Sequence, residues 1–388
     1  MKKVIIDNCV PLNNGDAALI FGLSNQLIKK GFSVEYSCLN YEEAKKIYPE
    51  YKWHKSHISN VLYKLCFKKN ILVLLWKLIM FIKLVLMDNE YKKADVVISA
   101  PGGYIHSYYG IEGRMFILYL CKKWLKKSVG IYSQSIGNLN ERDINIFYKY
   151  GKDLDFILVR DDLSYSRALS YGNFTNIQIT KDAAFLLFED KNKTEAPSSK
   201  SKKVAISLRE WNKEGRDMKN YFNLINYIVD YLLKKNYEIV FLSTCQGIEN
   251  YKDDSAVALD FIEQFNYSTN DKISVNSGYN KLEDLQLLIK DFDFVIGTRL
   301  HMCILSLING VPAFNISYEE KGKECYKYLG IEEYSVDFNS GEFISKINSF
   351  FNMSKDEKNQ ILDTVKKVSS EQQLIFEKLA ASNFKWDF

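Results

Sequence analysis

The sequence predicts an α/β protein of two Rossmann-like domains facing across a cleft, and three observations lead there. Two segments open alike: Lys2-Lys3-Val4-Ile5-Ile6-Asp7 and Lys202-Lys203-Val204-Ala205-Ile206-Ser207 each set lysines ahead of a short apolar run. That is the pattern of a first strand buried on both faces of a parallel sheet. After each opening, short apolar runs alternate with amphipathic stretches, the order that yields a sheet covered by helices. Between the halves, residues 189–203 (EDKNKTEAPSSKSKK) are polar, charged and Ser/Pro-bearing, which reads as a linker; a long surface loop is the alternative. The resulting boundaries are 1–188 for an N-terminal domain, 189–203 for the linker, 204–360 for a C-terminal domain and 361–388 for a C-terminal helical tail.

The expected strands of the first half, after the opening run, are Val34–Cys38, Val96–Ser99, Ser128–Ser133 and Phe156–Val159. Those of the second are Ile239–Ser243, Ile273–Val275, Phe294–Ile296 and Ala313–Ile316. In such folds ligands gather at the carboxyl ends of the strands, so the residues just beyond each run are the candidates for chemistry. A chain of 388 residues can bury two ordinary cores. A net charge of +4 is too small for its size to suggest a nucleic-acid partner. The seven cysteines are scattered with no CxxC spacing, so no metal site is expected and a reducing compartment is the simple reading. The short apolar run Val4–Ile6 does not read as a signal peptide. A cytoplasmic protein is expected.

Val61–Met87 is long, apolar and interrupted by lysines, yet its uncharged stretches fall far short of the ~18–20 residues that span a bilayer. At ~100° per residue, Lys64, Lys68, Lys69 and Lys83 share an arc of about 140°, with Lys77 off it. Two readings stay open: a basic helix lying on the inner face of the cell membrane, and a lysine-edged helix packed on the sheet.

Three glycine-bearing turns follow strands in the first half. Asn13-Asn14-Gly15-Asp16 opens a helix expected from Ala17 to Lys30, with Gly15 allowing close backbone approach and Asp16 placed as an N-cap. Pro101-Gly102-Gly103 and Ser133-Gln134-Ser135-Ile136-Gly137 follow in the same manner, and together the three favour a ligand-lined rim. Arg160-Asp161 ends another strand, Asp161 placed to cap the next helix and Arg160 either facing the cleft or tying down a loop; Asp182 reads as structural. In the second half, Arg209 follows Ile206-Ser207-Leu208, and Gly297-Thr298-Arg299-Leu300-His301 leads from a strand into a helix that stops at Gly310. Free amides and the helix dipole at such a start favour an anion, and guanidinium grips carboxylate or phosphate in a bidentate manner. Cys303, nearby, reads as an inert buried thiol.

In order and spacing these pieces resemble the polysaccharide pyruvyl transferase family over about residues 8–335. They are Asn14-Gly15-Asp16-Ala17-Ala18-Leu19, Pro101-Gly102-Gly103, Ser133-Gln134-Ser135-Ile136-Gly137, Val159-Arg160-Asp161, Asp182-Ala183-Ala184-Phe185, Ile206-Ser207-Leu208-Arg209, Gly297-Thr298-Arg299-Leu300-His301, and Gly310-Val311-Pro312 with Tyr318 and Lys321. The chain departs where the family often has three glycines (Pro101-Gly102-Gly103) and Gly-Gln-Gly (Ser133-Gln134-Ser135). The resemblance implies a GT-B-like fold and transfer of a pyruvyl group from phosphoenolpyruvate to sugar hydroxyls of a cell-surface polysaccharide or its lipid-linked precursor, as a ketal. Phosphoenolpyruvate is then a co-substrate and no cofactor is expected. The acceptor side falls in the N-terminal domain and the phosphoenolpyruvate side in the C-terminal one. His301 and Arg299 are the catalytic candidates, His301 as general acid/base. Arg209, Arg160, Gly15, Asp16, Gly102, Gly103, Ser133 and Lys321 are the substrate-binding candidates. The alternative is a nucleotide-sugar glycosyltransferase of the same architecture. By family resemblance such enzymes carry two carboxylates eight positions apart before the Gly-x-Pro turn, and here those positions are Gly297 and Leu305; Glu324 and Glu332 have the spacing but lie beyond the turn. A non-catalytic relative that binds a polymer intermediate is a further reading.

Overall fold

The computed structural model describes residues 1–58, 70–189, 202–210 and 217–385. Lys64, Lys68 and Lys69, and most of the expected linker, lie outside the described residues. The chain divides into two compact units, one of Met1–Leu12, Leu19–Leu186 and Ser370–Phe388, the other of Asn13–Ala18 and Leu187–Ser369.

The first unit holds strands β1 (Lys3–Cys9), β2 (Ser33–Cys38), β3 (Trp53–Lys55), β4 (Val96–Ser99), β5 (Gly102–Ile105), β6 (Ser128–Ile136), β7 (Phe156–Val159) and β8 (Ile177–Ile179). They form one sheet in the order β3-β2-β1-β4-β6-β7-β8, with β5 beside β6, and every pair is parallel. Ile5, Val97, Ile131 and Ile157 are fully buried at its centre, as continuous apolar runs require when both faces are covered. The helices before the second unit are α1 (Asn14–Lys29), α2 (Tyr41–Ile47), α3 (Asn70–Phe81), α4 (Asn89–Lys93), α5 (Glu112–Lys123), α6 (Glu141–Gly151) and α7 (Asp162–Tyr171). From α3 the chain continues through a wider π-type turn, Ile82–Met87.

The second unit carries β9 (Lys202–Ser207), β10 (Tyr237–Phe241), β11 (Ile273–Val275), β12 (Phe294–Gly297), β13 (Ala313–Ser317) and β14 (Ser335–Asp337). Their order, β11-β10-β9-β12-β13-β14, is the doubly wound arrangement whose strand order reverses beside its first strand. Its helices are α8 (Met218–Lys234), α9 (Asp254–Gln264), α10 (Leu282–Ile289), α11 (Leu300–Ile308), α12 (Glu320–Tyr328), α13 (Phe343–Phe351) and the start of α14 (Lys355–Ala381).

Two segments sit apart from the boundaries read in the sequence, each for a bonding reason. Asn13–Ala18 belongs with the second unit: the Asn14 N–H donates to the Thr244 carbonyl at 2.8 Å and the Asn14 side-chain amide to the Asn280 carbonyl at 2.8 Å. The expected tail is the end of α14, and from Ser370 it belongs with the first unit. There Gln372 accepts from Thr180 at 2.5 Å and from the Lys181 N–H at 2.8 Å, and donates to the Tyr132 hydroxyl at 3.1 Å. Among the described residues, no helix is long and apolar enough to cross a membrane.

Candidate functional site

Sheet register sets the level at which the polar residues of the second unit emerge. Ser207 pairs with Gly297, and Gly297 with Asn315. Arg209 and Arg299 therefore leave neighbouring parallel strands two residues beyond a register pair, at the carboxyl edge where ligands gather. Buried Tyr221 ties the two exits together. Its hydroxyl meets Thr298 Oγ1 at 2.8 Å and the Arg209 backbone, while burial pushes its own titration well above the usual range.

Gly297 ends β12 and packs tightly against the next helix: a Cβ there would lie 2.5 Å from Cys303 Sγ, so a larger residue would force a shift. The chain then turns through Arg299, whose φ of −89° and ψ of 112° mark it as the residue before the helix, so α11 begins at Leu300 and His301 stands in its first turn. The helix is almost wholly buried beyond that turn and stops at Gly310, φ +80°, where the Val311 N–H returns to the Ser306 carbonyl at 2.9 Å. Burial pushes the Cys303 thiol up to about 12, in keeping with an inert thiol.

The Arg299 guanidinium is gripped from one side: Nε and Nη2 each donate to the Asp254 carboxylate at 2.7 Å. Burial opposes the charged guanidinium, but Asp254, and then Cys245 and Asp16, hold it protonated well above its ordinary range. Asp254 opens α9, is buried, and also accepts from Ser243 Oγ at 2.6 Å. A sequence reading misses it, since an aspartate at a helix start looks like ordinary dipole complement. The Asp253-Asp254 pair was the only available signal: Asp253 caps the helix by accepting from the Ser255 N–H at 2.9 Å, which frees Asp254 for another task.

Above this edge lies the turn Asn13–Ala18. A Cβ on Gly15 would sit 2.7 Å from both Cβ and Nδ1 of His301, so the Gly15 backbone rests against the imidazole. The capping expectation for Asp16 is corrected: α1 begins at Asn14, and Asn13 supplies the cap, its Oδ1 accepting from the Gly15 N–H and its Nδ2 donating to Asp16, both at 2.9 Å. Asp16 stays in the first turn, where it bears electrostatically on Arg299, Cys245 and Tyr251. Arg209 lies over the Tyr318 ring with Cζ 4.2 Å from its centre, donates to the Tyr318 hydroxyl, and is 3.8 Å from Glu319. Lys321 pairs with the same Glu319 at 2.6 Å.

In the first unit two expected binding residues turn inward. Arg160 is 3% exposed, donating from Nη1 to Asp182 at 2.9 Å and from Nε to Ser135 at 2.6 Å. Of the two arrangements open to it, the side chain takes the one that ties down a loop, with Asp182 as its partner and Asp161 capping α7. Ser133, expected at the substrate, is fully buried, its hydroxyl donating to the Lys181 carbonyl at 2.8 Å and accepting from the Ala183 N–H at 2.9 Å. Its φ of +51° is the left-handed conformation that glycine enters freely, and this is where the resembled family often has glycine. Gly102 also needs its positive φ of +150°, whereas a Cβ on Gly103 would meet open space. Gln134 holds their turn, donating to the Ala100 carbonyl and accepting from the Tyr104 N–H at 3.2 Å. Elsewhere Glu35, His54 and Glu90 bring three potential metal ligands within 4.8 Å. Lys3 and Lys52 already pair with these carboxylates, which makes the cluster an ion-pair network.

Comparison with known proteins bears on both units. The family model described as polysaccharide pyruvyl transferase matches residues 13–320. The amylovoran biosynthesis protein AmsJ of Erwinia amylovora is 28% identical over 302 residues, covering 71% of this chain and 70% of that protein. Among solved structures, a glycosyltransferase from Rickettsia africae superposes with a TM-score of 0.64 at 10% identity, covering 99% of this chain and 98% of that one. HepE of Anabaena in complex with UDP gives 0.63 at 10% over 99% of each chain. S. aureus MnaA, in a UDP co-structure, gives 0.62 at 12% over 99% and 98%. The structural likenesses establish a GT-B-like fold.

Proposed function

Because the chain belongs to the polysaccharide pyruvyl transferase family, we propose that it works in polysaccharide biosynthesis, moving a pyruvyl group from phosphoenolpyruvate to hydroxyls of a sugar as a ketal. The observation that carries this reading is His301 in the first turn of α11, pressed by Gly15, beside an arginine anchored on Asp254. Phosphoenolpyruvate brings a carboxylate and a phosphate. Arg209 and the amides at the start of α11 suit such a ligand. Two of the Arg299 N–H groups are spent on Asp254, which leaves its remaining donors directed by that grip.

The reaction needs a proton on C3 of the enol, attack on C2 by one sugar hydroxyl and then by a second, and expulsion of phosphate. The two hydroxyls give up two protons; one balances C3 and the other leaves with phosphate. Histidine is the side chain that exchanges protons near neutrality, so His301 is assigned the general acid/base role and Arg209 and Arg299 the anionic groups. Phosphoenolpyruvate acts as co-substrate and no cofactor enters this scheme. The acceptor is a saccharide, either in a cell-surface polysaccharide or in its lipid-linked precursor.

The test is phosphate release from phosphoenolpyruvate with a panel of lipid-linked and nucleotide-linked sugars, followed by mass spectrometry of the acceptor. Release with gain of one pyruvate ketal is the expected result. Dependence on the sugar nucleotide as donor, or acceptor binding without turnover, overturns the reading. His301→Ala lowers turnover by roughly 100-fold or more; near-normal turnover removes His301 from the assignment.

A further inference from the structure

One face of α3 and the turn that follows it is apolar and, among the described residues, uncovered. Leu74, Leu75, Leu78, Ile82, Leu86 and Met87 are 71%, 51%, 54%, 38%, 58% and 68% exposed. Leu74, Leu78, Ile82 and Leu86 recur every four residues, which lines them up on one side of a helix. The opposite side is fully used: Trp76, Met80 and Leu84 are buried in the core of the first unit, and Lys77 pairs with buried Glu112 at 2.6 Å. Trp124, 57% exposed, extends the apolar face by packing edge-on against Phe81 at 4.8 Å. A stripe of this size is unusual on a surface that meets only water.

Its margin is basic. Lys92 donates to the Leu86 carbonyl and Lys127 to the Lys92 carbonyl, both at 2.6 Å, so two ammonium groups sit at the end of the stripe. Lys83 and Lys126 are exposed and make no ion pair among the described residues. The nearby acids are matched: Asp88 with His57 at 2.7 Å, Glu90 with Lys3 at 2.5 Å, Asp153 with Lys123 at 3.1 Å and Asp155 with Lys122 at 2.6 Å. We infer that this face seats the protein on an anionic lipid surface, with the leucines in the acyl boundary, Trp124 at headgroup level and the lysines on phosphate. A second copy is the weaker occupant, because a twofold pairing would set the same lysines against each other. The inference concerns lipid binding alone and stands apart from the transferred group.

Co-sedimentation of the full chain with vesicles decides it. Binding is expected to vesicles of phosphatidylglycerol and phosphatidylethanolamine and not to phosphatidylcholine, weakening as salt rises. The double variant Leu78→Asp, Ile82→Asp should bind at least about tenfold more weakly. Replacing Lys83 and Lys126 by Gln, a change that leaves the apolar face intact, should cost about fivefold per lysine. Thermal melts of the variants check that each is folded. No binding to either vesicle, or equal binding by the wild type and both double variants, overturns the inference. So does a dimer in sedimentation velocity that Leu78→Asp abolishes, since a second copy would then own the face. Phosphate release with a water-soluble acceptor is measured alongside: if lipid binding fails while turnover persists, only this inference falls.

Discussion

Replacing Gly15 by alanine isolates the contact between the first helical turn and the candidate acid/base. The added Cβ would lie 2.7 Å from Cβ and Nδ1 of His301 and 2.9 Å from Cγ, against the roughly 3.5–4.0 Å at which carbon atoms rest. Something must yield by about 1 Å. The clash includes the root of the histidine, so a ring flip alone does not relieve it; the imidazole or the start of α11 moves. Gly15 is helical and has no positive φ, so alanine there gains about 0.5–1 kcal/mol of helix preference. Overpacking costs about 1–3 kcal/mol, leaving a net loss between nothing and about 2.5 kcal/mol. Catalysis is far less tolerant, because a displacement of about 1 Å at a reacting group can cost about 100-fold. The expected result is a large fall in kcat for phosphate release with the protein still folded at the assay temperature, its melting temperature lowered by no more than about 10 °C. Gly341→Ala, where a Cβ meets nothing within 4 Å, serves as the control. A Gly15→Ala protein with kcat within about twofold of wild type refutes the reasoning, since the contact would then carry no catalytic weight.

Other predictions follow from the same geometry. Asp254→Asn should destabilise the protein by about 3 kcal/mol in urea unfolding, because it strands the Arg299 charge in a largely buried site. Adding Arg299→Met should restore part of that stability and none of the turnover. Cys303, its thiol pushed up to about 12 by burial, should resist alkylation at pH 8 in the native protein and react promptly in denaturant, as read by peptide mass mapping. Hydrogen bonding to Lys3 is the main cause that lowers Glu90 to about 2, while Glu35 is lowered because Lys3, Lys52 and His54 together outweigh its burial. Carboxylates held low contribute stability that is full above their unfolded value of about 4.3 and fades as pH falls through the folded one. Thermal melts should therefore show an acid-sensitive phase between about pH 4.3 and about 2, flattened in Glu35→Gln.

The strands were legible because burial on both faces leaves a plain mark: Val96–Ser99 and Phe156–Val159 run as their apolar runs foretell, every residue buried. Helix starts were less so. Asn13 and Asp16 are both good caps, and only the Asn13 bond to the Gly15 N–H decides between them. Arg160 and Ser133 were illegible for a related reason. A polar residue after a strand looks the same whether it meets a ligand or a buried partner, and Asp182 and Lys181 approach them only once the chain is folded. Asp254 stands 45 positions from Arg299, a separation no local pattern reports.

The fold itself does not choose the donor, since the superposing structures share only 10–12% identity with this chain. The choice rests on what the edge of the second sheet can hold. A nucleotide-sugar site of the resembled kind would place carboxylates at Gly297 and Leu305. At Gly297 any side chain would run into Cys303 Sγ, and Leu305 is fully buried in the core beneath α11. A carboxylate at the first would break the strand-to-helix turn, and at the second it would bury an unpaired charge. The packing that denies this edge a ribose-holding pair is the packing that fixes the start of α11. Putting such a pair there would therefore dismantle the turn that presents Arg299 and His301.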